Sequence, residues 1–159
     1  MIERYSRPEM AALWTMEARF SSWLEVELAV CEAWARLGVI PPADLAEIRA
    51  KAAFDVERIL EIEEKTRHDV IAFLTAVEEK VGVSARFIHL GCTSSDIVDT
   101  ANALLLVRAG AMILADIDKV LAVLKDMALA HQNLLCMGRT HGIHAEPTSF
   151  GLKMAGFYA

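Results

Sequence analysis

At 159 residues the chain is long enough for one domain with its own core and too short for a second complete one. A net charge of −6, with 16 basic residues spread along the chain, leaves no basic footprint for a nucleic-acid backbone, so no nucleic-acid partner is expected. The cysteines (Cys31, Cys92, Cys136) are odd in number and widely spaced, which reads as reduced thiols rather than a disulfide frame.

Hydrophobic residues make up 55% of the chain before glycine is counted, already above the ~45–50% usual with glycine included. Some apolar surface is therefore expected to meet something outside the chain. A membrane is not the expected cover: the most apolar window, residues 101–113, contains Asn102 and Arg108, is followed by Asp116 and Asp118, and reads as too short and too interrupted to span. The N-terminus, Met1-Ile2-Glu3-Arg4-Tyr5-Ser6-Arg7-Pro8, has no apolar core before a cleavage site, so a cytoplasmic location is expected.

Apolar residues recur at spacings of three and four with no strand-length alternation, so the fold is expected to be all-α. In chain order, a first long helix is predicted over residues 16–37, with Phe20, Leu24, Leu28 and Cys31 as its stripe and Gly38 and Pro41-Pro42 as its stop. Short helices follow over residues 44–53 and 56–65, and another from His68 to Gly82. Residues 83–91 read as extended. Thr93-Ser94-Ser95-Asp96 has the form of a capping box and opens the longest helix, to about His131. That helix is apolar nearly all round at Leu104-Leu105-Leu106-Val107, which calls for cover by helices of other subunits. Residues 138–148 read as a built loop, with Pro147 in the first turn of a last helix. The chain ends at Phe157-Tyr158-Ala159 without a helix stop signal and reads as part of a longer protein.

Several groups along this order can carry chemistry. Arg4 and Tyr5 can grip a phosphate or lie in a disordered terminus. Arg67, His68 and Asp69 place a guanidinium, an imidazole and a carboxylate at a helix start, and can meet one ligand only where the backbone is still non-helical. Thr93, Ser94 and Ser95 combine hydroxyls with the free N–H groups of a helix N-terminus, which suits a carboxylate or phosphate as well as simple capping. His141 and His144 lie in the glycine-flanked segment Gly138-Arg139-Thr140-His141-Gly142-Ile143-His144-Ala145-Glu146-Pro147-Thr148. A histidine there suits proton transfer better than a metal site, since no companion ligand motif exists. Glycine-rich phosphate-binding motifs are absent as well.

The segments Met1 to Met10, Thr66-Arg67-His68-Asp69-Val70, Thr93-Ser94-Ser95-Asp96 and Gly138 to Thr148 together resemble the adenylosuccinate lyases of the fumarase and aspartase superfamily. The resemblance implies elimination of fumarate from adenylosuccinate, leaving AMP, and from the succinylated aminoimidazole carboxamide ribotide, with neither cofactor nor metal. It implies His141 as the general acid on the departing nitrogen, and Thr93 and Ser94 as holders of a substrate carboxylate. Arg4 and Tyr5 would hold the nucleotide phosphate, with Arg67, His68 and Asp69 as nucleotide and succinyl contacts. It further implies a homotetramer with sites built from three subunits, an N-terminal helical domain over 1–92, the start of a helical bundle over 93–159, and a catalytic base on a glycine- and serine-rich loop outside these residues. Argininosuccinate lyase and a non-catalytic helical oligomerisation module are the alternatives.

Overall fold

The computed structural model describes residues 2–159, of which the great majority are helical. The chain divides into two compact units, Met1–Ala109 and Gly110–Ala159.

In the first unit, a single 3-10 turn over Glu3–Tyr5 leads to a short helix α1 (Pro8–Ala12). Helix α2 (Met16–Arg36) starts where the Thr15 hydroxyl accepts the Ala18 N–H, and ends ahead of Gly38, whose φ of +77° releases the chain. Helix α3 (Pro42–Lys51) opens on a proline that lacks only an N–H the first turn does not use. Helix α4 (Val56–Thr66) is capped by Asp55, and α5 (Asp69–Val81) by His68. The buried stripe of α2 differs from the expected one. Phe20 and Cys31 are buried, but Trp23, Val26 and Glu27 share their face, and Leu24 and Leu28 are only partly covered.

Four aromatic rings fill the centre of this unit. Phe20 meets Trp23 edge-on at 5.2 Å and stacks on Phe73 at 5.9 Å, Trp23 meets Phe73 edge-on at 5.5 Å, and Phe54 closes the cluster. Such pairs contribute about 0.5–1.5 kcal/mol each beyond burial, so α2, α5 and the segment before α4 are locked together here.

Residues 83–91 are not extended throughout. Gly82–Phe87 winds as a 3-10 helix, because Gly82 leaves α5 at φ +78° and the segment is then tied to α3 by side chains. The buried Ser84 hydroxyl lies 2.8 Å from Asp44 and 2.6 Å from Glu47, and Arg86 donates to Asp44.

Helix α6 (Ser94–Ala130) has 37 residues. By length and composition alone it could cross a membrane, so the expectation of an apolar stretch too short to span is corrected. Within the second unit, Ile113, Leu114, Ile117, Val120, Val123 and Leu129 are exposed along it.

The segment expected to be a loop is a two-stranded antiparallel hairpin, β1 (Leu135–Thr140) and β2 (Ile143–Ser149). Pro147 therefore lies in a strand, where a two-stranded ribbon leaves an edge that does not need its N–H. The last helix, α7 (Phe150–Tyr158), starts later, with the Ser149 hydroxyl accepting the Leu152 N–H at 3.0 Å. Gly151 lets α7 approach the end of α6: a Cβ there would stand 2.4 Å from the Ala128 carbonyl oxygen.

Surface carboxylates in the first unit are held below their usual range. Arg58 does this to Glu79, Arg49 to Glu32, and Lys51 with Ser84 to Glu47, in each case first through a side-chain hydrogen bond. A carboxylate whose folded value lies below its unfolded one stabilises the fold above the unfolded value, here 4.5, and that stability is lost as pH falls through the folded value. Thermal midpoints should therefore drop as pH is lowered from 4.5. Arg58→Gln should flatten this dependence, most visibly at low salt, because the pairs are exposed. An equally steep profile in the variant would show that the Arg58 pairs do not contribute to it.

Candidate functional site

Among the described residues, three that are not glycine have a left-handed backbone: Arg67 (φ 53°), His89 (φ 67°) and His141 (φ 52°). L-residues avoid this region at a cost of roughly 1–2 kcal/mol, so each marks a corner imposed by its surroundings.

The first corner joins α4 to α5. Arg67 ends α4 with its N–H on the Glu63 carbonyl, and His68 is extended, so the backbone is non-helical at both positions. Arg67, His68 and Asp69 can thus fan out from one corner. They are not equally available. The Asp69 carboxylate takes Arg19 at 2.6 Å and the Val70 N–H at 2.8 Å, which makes it a tie between α2 and α5. Arg19 itself lies over the Trp23 ring at 4.6 Å. His68, an exposed residue, accepts the Ile71 N–H through Nδ1 at 3.4 Å, which leaves Nε2 as the donor of the neutral ring. Arg67 lines an open pocket of about 540 Å³ with Leu60, Glu63 and Glu64.

The start of α6 forms half of the expected capping box. Asp96 reaches back to accept the Thr93 N–H at 2.8 Å, while the hydroxyls of Thr93 and Ser94 make no hydrogen bond among the described residues. Capping is thus carried by the carboxylate, and the hydroxyls stay available. The Cys92 thiol next to them is pushed up, first by burial and then by Glu27 and Asp96, which disfavours a thiolate nucleophile. The buried Cys31 thiol is raised further, to about 11.

At the N-terminus, Arg4 lies 4.8 Å over the Tyr5 ring, and both side chains are exposed.

In the second unit, the hairpin explains the density of its sequence. His141 and Gly142, with φ of 52° and 74°, form its two-residue turn; positive φ at both positions is what the right-handed twist of a hairpin selects. Gly138 sits at the bulge between Met137 and Arg139, where a Cβ would stand 2.8 Å from the Glu146 carbonyl oxygen. The two histidines separate here. His144 pairs across the ribbon with Arg139, whose Nη2 lies 3.3 Å from its Nε2. The His141 ring stands exposed at the tip with no hydrogen bond among the described residues, so both ring nitrogens are open to a ligand.

Sequence reasoning missed Arg19 and the pair formed by Glu27 and His89. Glu27 is fully buried, its Oε2 accepting the His89 N–H at 2.9 Å and its Oε1 lying 2.6 Å from the His89 Nδ1. Burial raises the Glu27 carboxyl, and the bonds from His89 draw it part of the way back. A legible signal existed: Glu27 follows Phe20 and Trp23, and precedes Cys31, at helical spacing on the apolar face of α2.

Residues 3–159 match the model of the family described as lyase. The chain belongs to the lyase family. It is 56% identical over 155 residues to the adenylosuccinate lyase of Bacillus subtilis (98% of this chain, 36% of that protein). It is 54% identical over 159 residues to that of Streptococcus mutans (100% of this chain, 37% of that protein). Among solved structures, a fumarate lyase from Mesorhizobium sp. BNC1 superposes with a TM-score of 0.88 at 31% identity, covering 94% of this chain and 36% of that one. The 3-carboxy-cis,cis-muconate lactonizing enzyme of Pseudomonas putida gives 0.88 at 30% identity, covering 97% and 37%. This lyase-family chain thus spans little more than a third of the length of the curated relatives it matches.

The bulge supplies a direct check on the hairpin. Gly138→Ala should disturb the strand pairing that carries His141, read as faster amide exchange across residues 135–149 with little change in the first unit. Unchanged exchange would show that the ribbon has room the geometry does not provide.

Proposed function

We propose that these residues are the N-terminal portion of an adenylosuccinate lyase that eliminates fumarate from adenylosuccinate, giving AMP, and from the succinylated aminoimidazole carboxamide ribotide. The observation that carries this reading is 54–56% identity to adenylosuccinate lyases over nearly the whole chain. Similarity to a fumarate lyase and a muconate lactonizing enzyme at about half that level supports the wider lyase chemistry, with other substrates as the alternative.

In the proposed elimination a base removes the proton beside a carboxylate, the C–N electron pair passes to the departing nitrogen, and an acid protonates that nitrogen. His141 is the acid: its ring is exposed on a two-residue hairpin turn and has no hydrogen bond among the described residues. Thr93 and Ser94 hold the succinyl carboxylate with unused hydroxyls at the positive end of α6, where negative charge develops. Arg67 and the Nε2 of His68 contact the nucleotide and succinyl group, and Asp69 holds that corner through Arg19. Arg4 and Tyr5 grip the phosphate. The base is supplied from outside these 159 residues, and no metal or cofactor takes part.

Residues 1–92 form an N-terminal substrate-binding domain in this proposal, and 93–159 the start of a helical bundle. The exposed apolar residues of α6 and α7, among them Val120, Val123, Leu152 and Phe157, are covered by other copies in a cytoplasmic homotetramer, with each site drawn from several copies.

Fumarate release from adenylosuccinate by the full gene product tests the reading, with argininosuccinate as competitor. His141→Gln should lower kcat by about a hundredfold or more with little change in KM, the pattern of a group that acts in the transition state. An unchanged kcat would remove His141 from the mechanism, and absence of turnover in the wild type would remove the lyase reading.

A further inference from the structure

The segment from Phe87 to Cys92 enters α6 without regular ladder partners, and three side chains of α2 meet its main chain. Glu27 accepts the His89 N–H, the Cys31 Sγ lies 3.8 Å from the Phe87 carbonyl oxygen, and the Trp34 indole N–H donates to the Leu90 carbonyl at 2.8 Å. Spaced four and three apart, they project from one helical face. The strongest hold is at His89, where one buried carboxylate takes both the backbone N–H and the ring Nδ1, in the left-handed backbone that begins the turn. That turn closes when the His89 carbonyl accepts the Cys92 N–H at 3.2 Å, and Thr93 and Ser94 follow at once. Gly91 packs where a Cβ would stand 3.3 Å from the Trp34 ring.

We propose that Glu27 and Trp34 are positioning residues: by gripping the main chain at His89 and Leu90 they set the direction in which the start of α6 presents Thr93 and Ser94 to the substrate carboxylate. This rests on the role proposed above for Thr93 and Ser94. Neither residue touches substrate. Glu27 has no exposed surface from which to do so. An unpaired buried carboxylate is costly, so its bonds to His89 persist wherever the fold does. The segment is thereby anchored to the aromatic centre of the first unit instead of moving with solvent.

The test uses the full gene product with Glu27→Gln, which keeps shape and one acceptor but removes the charge. Loss of a charge-assisted hold should raise KM for adenylosuccinate about tenfold, while the inhibition constant of AMP, which lacks the succinyl group, stays within about twofold of wild type. Combined with Thr93→Ala, the double variant should be no worse than Thr93→Ala alone. A merely structural role would instead lower the active fraction, with apparent kcat reduced, KM unchanged and the two substitutions additive. That result would overturn the proposal.

Amide exchange across residues 88–95, read on the same samples, does not depend on turnover. It should quicken about tenfold in Glu27→Gln, with α4 and α5 unchanged, and unaltered exchange would also overturn the proposal. If Glu27→Gln does not fold, Trp34→Phe removes one tether while keeping a ring against Gly91, and the same exchange and KM criteria apply to it. A wild type without fumarate release would sink the lyase reading, leaving exchange to decide the tether by itself.

Discussion

A fully buried carboxylate on the apolar face of α2 is the constraint around which the first unit is organised. Glu27 cannot sit there unbonded, and its partners are the backbone and ring of His89, far along the chain. One and two turns earlier on the same face, Trp23 and Phe20 enter the aromatic cluster with Phe73. Further on, Cys31 and Trp34 meet the main chain at Phe87 and Leu90. A single helix thus packs α5 through dispersion and burial, and fixes the entry to α6 through hydrogen bonds.

Backbone freedom has been removed at the corners of the chain that precede or carry the proposed site residues. Arg67, His89 and His141 all occupy left-handed corners, and in each case the neighbours over-determine the corner: the end of α4, the Glu27 carboxylate and the hairpin register. Strain held in this way fixes the backbone at each corner. Both Arg67 and His141 remain exposed, which suits the roles proposed for them. Asp69, by contrast, is engaged with Arg19 and contributes by holding the corner that carries His68.

Helices α2 to α5 were legible because local stop and start chemistry surrounds them: Gly38 with Pro42, Asp55, His68 and Gly82 bound them within a few residues, whereas the short α1 carried no apolar periodicity to reveal it. The hairpin was not, since Gly138, Gly142 and Pro147 read as loop signals in isolation. Only the pairing shows that the first relieves a bulge, the second completes a turn and the third lies on an edge. Thr93 and Ser94 stood out as hydroxyls at a helix start, and His141 and His144 as a pair in a glycine-flanked segment, with only the family resemblance to choose between the two histidines. That His144 is turned toward Arg139, and that Glu27 meets His89, depends on partners brought together by the fold. The length of α6 was visible in the uninterrupted run after Thr93, and its exposed apolar residues match the surplus hydrophobicity of the composition.

In the proposed elimination the start of α6 and the tip of the hairpin, contributed to one site by different copies, act on opposite ends of one bond-breaking event. The most direct measurement is a crystal structure of the full gene product carrying His141→Gln, with adenylosuccinate bound. The expected complex has a succinyl carboxylate about 2.7–3.2 Å from the hydroxyl or N–H groups of Thr93 and Ser94, with residue 141 of a contributing copy beside the bridging nitrogen. A substrate bound with its succinyl group away from the start of α6, or its nitrogen out of reach of position 141, would contradict it.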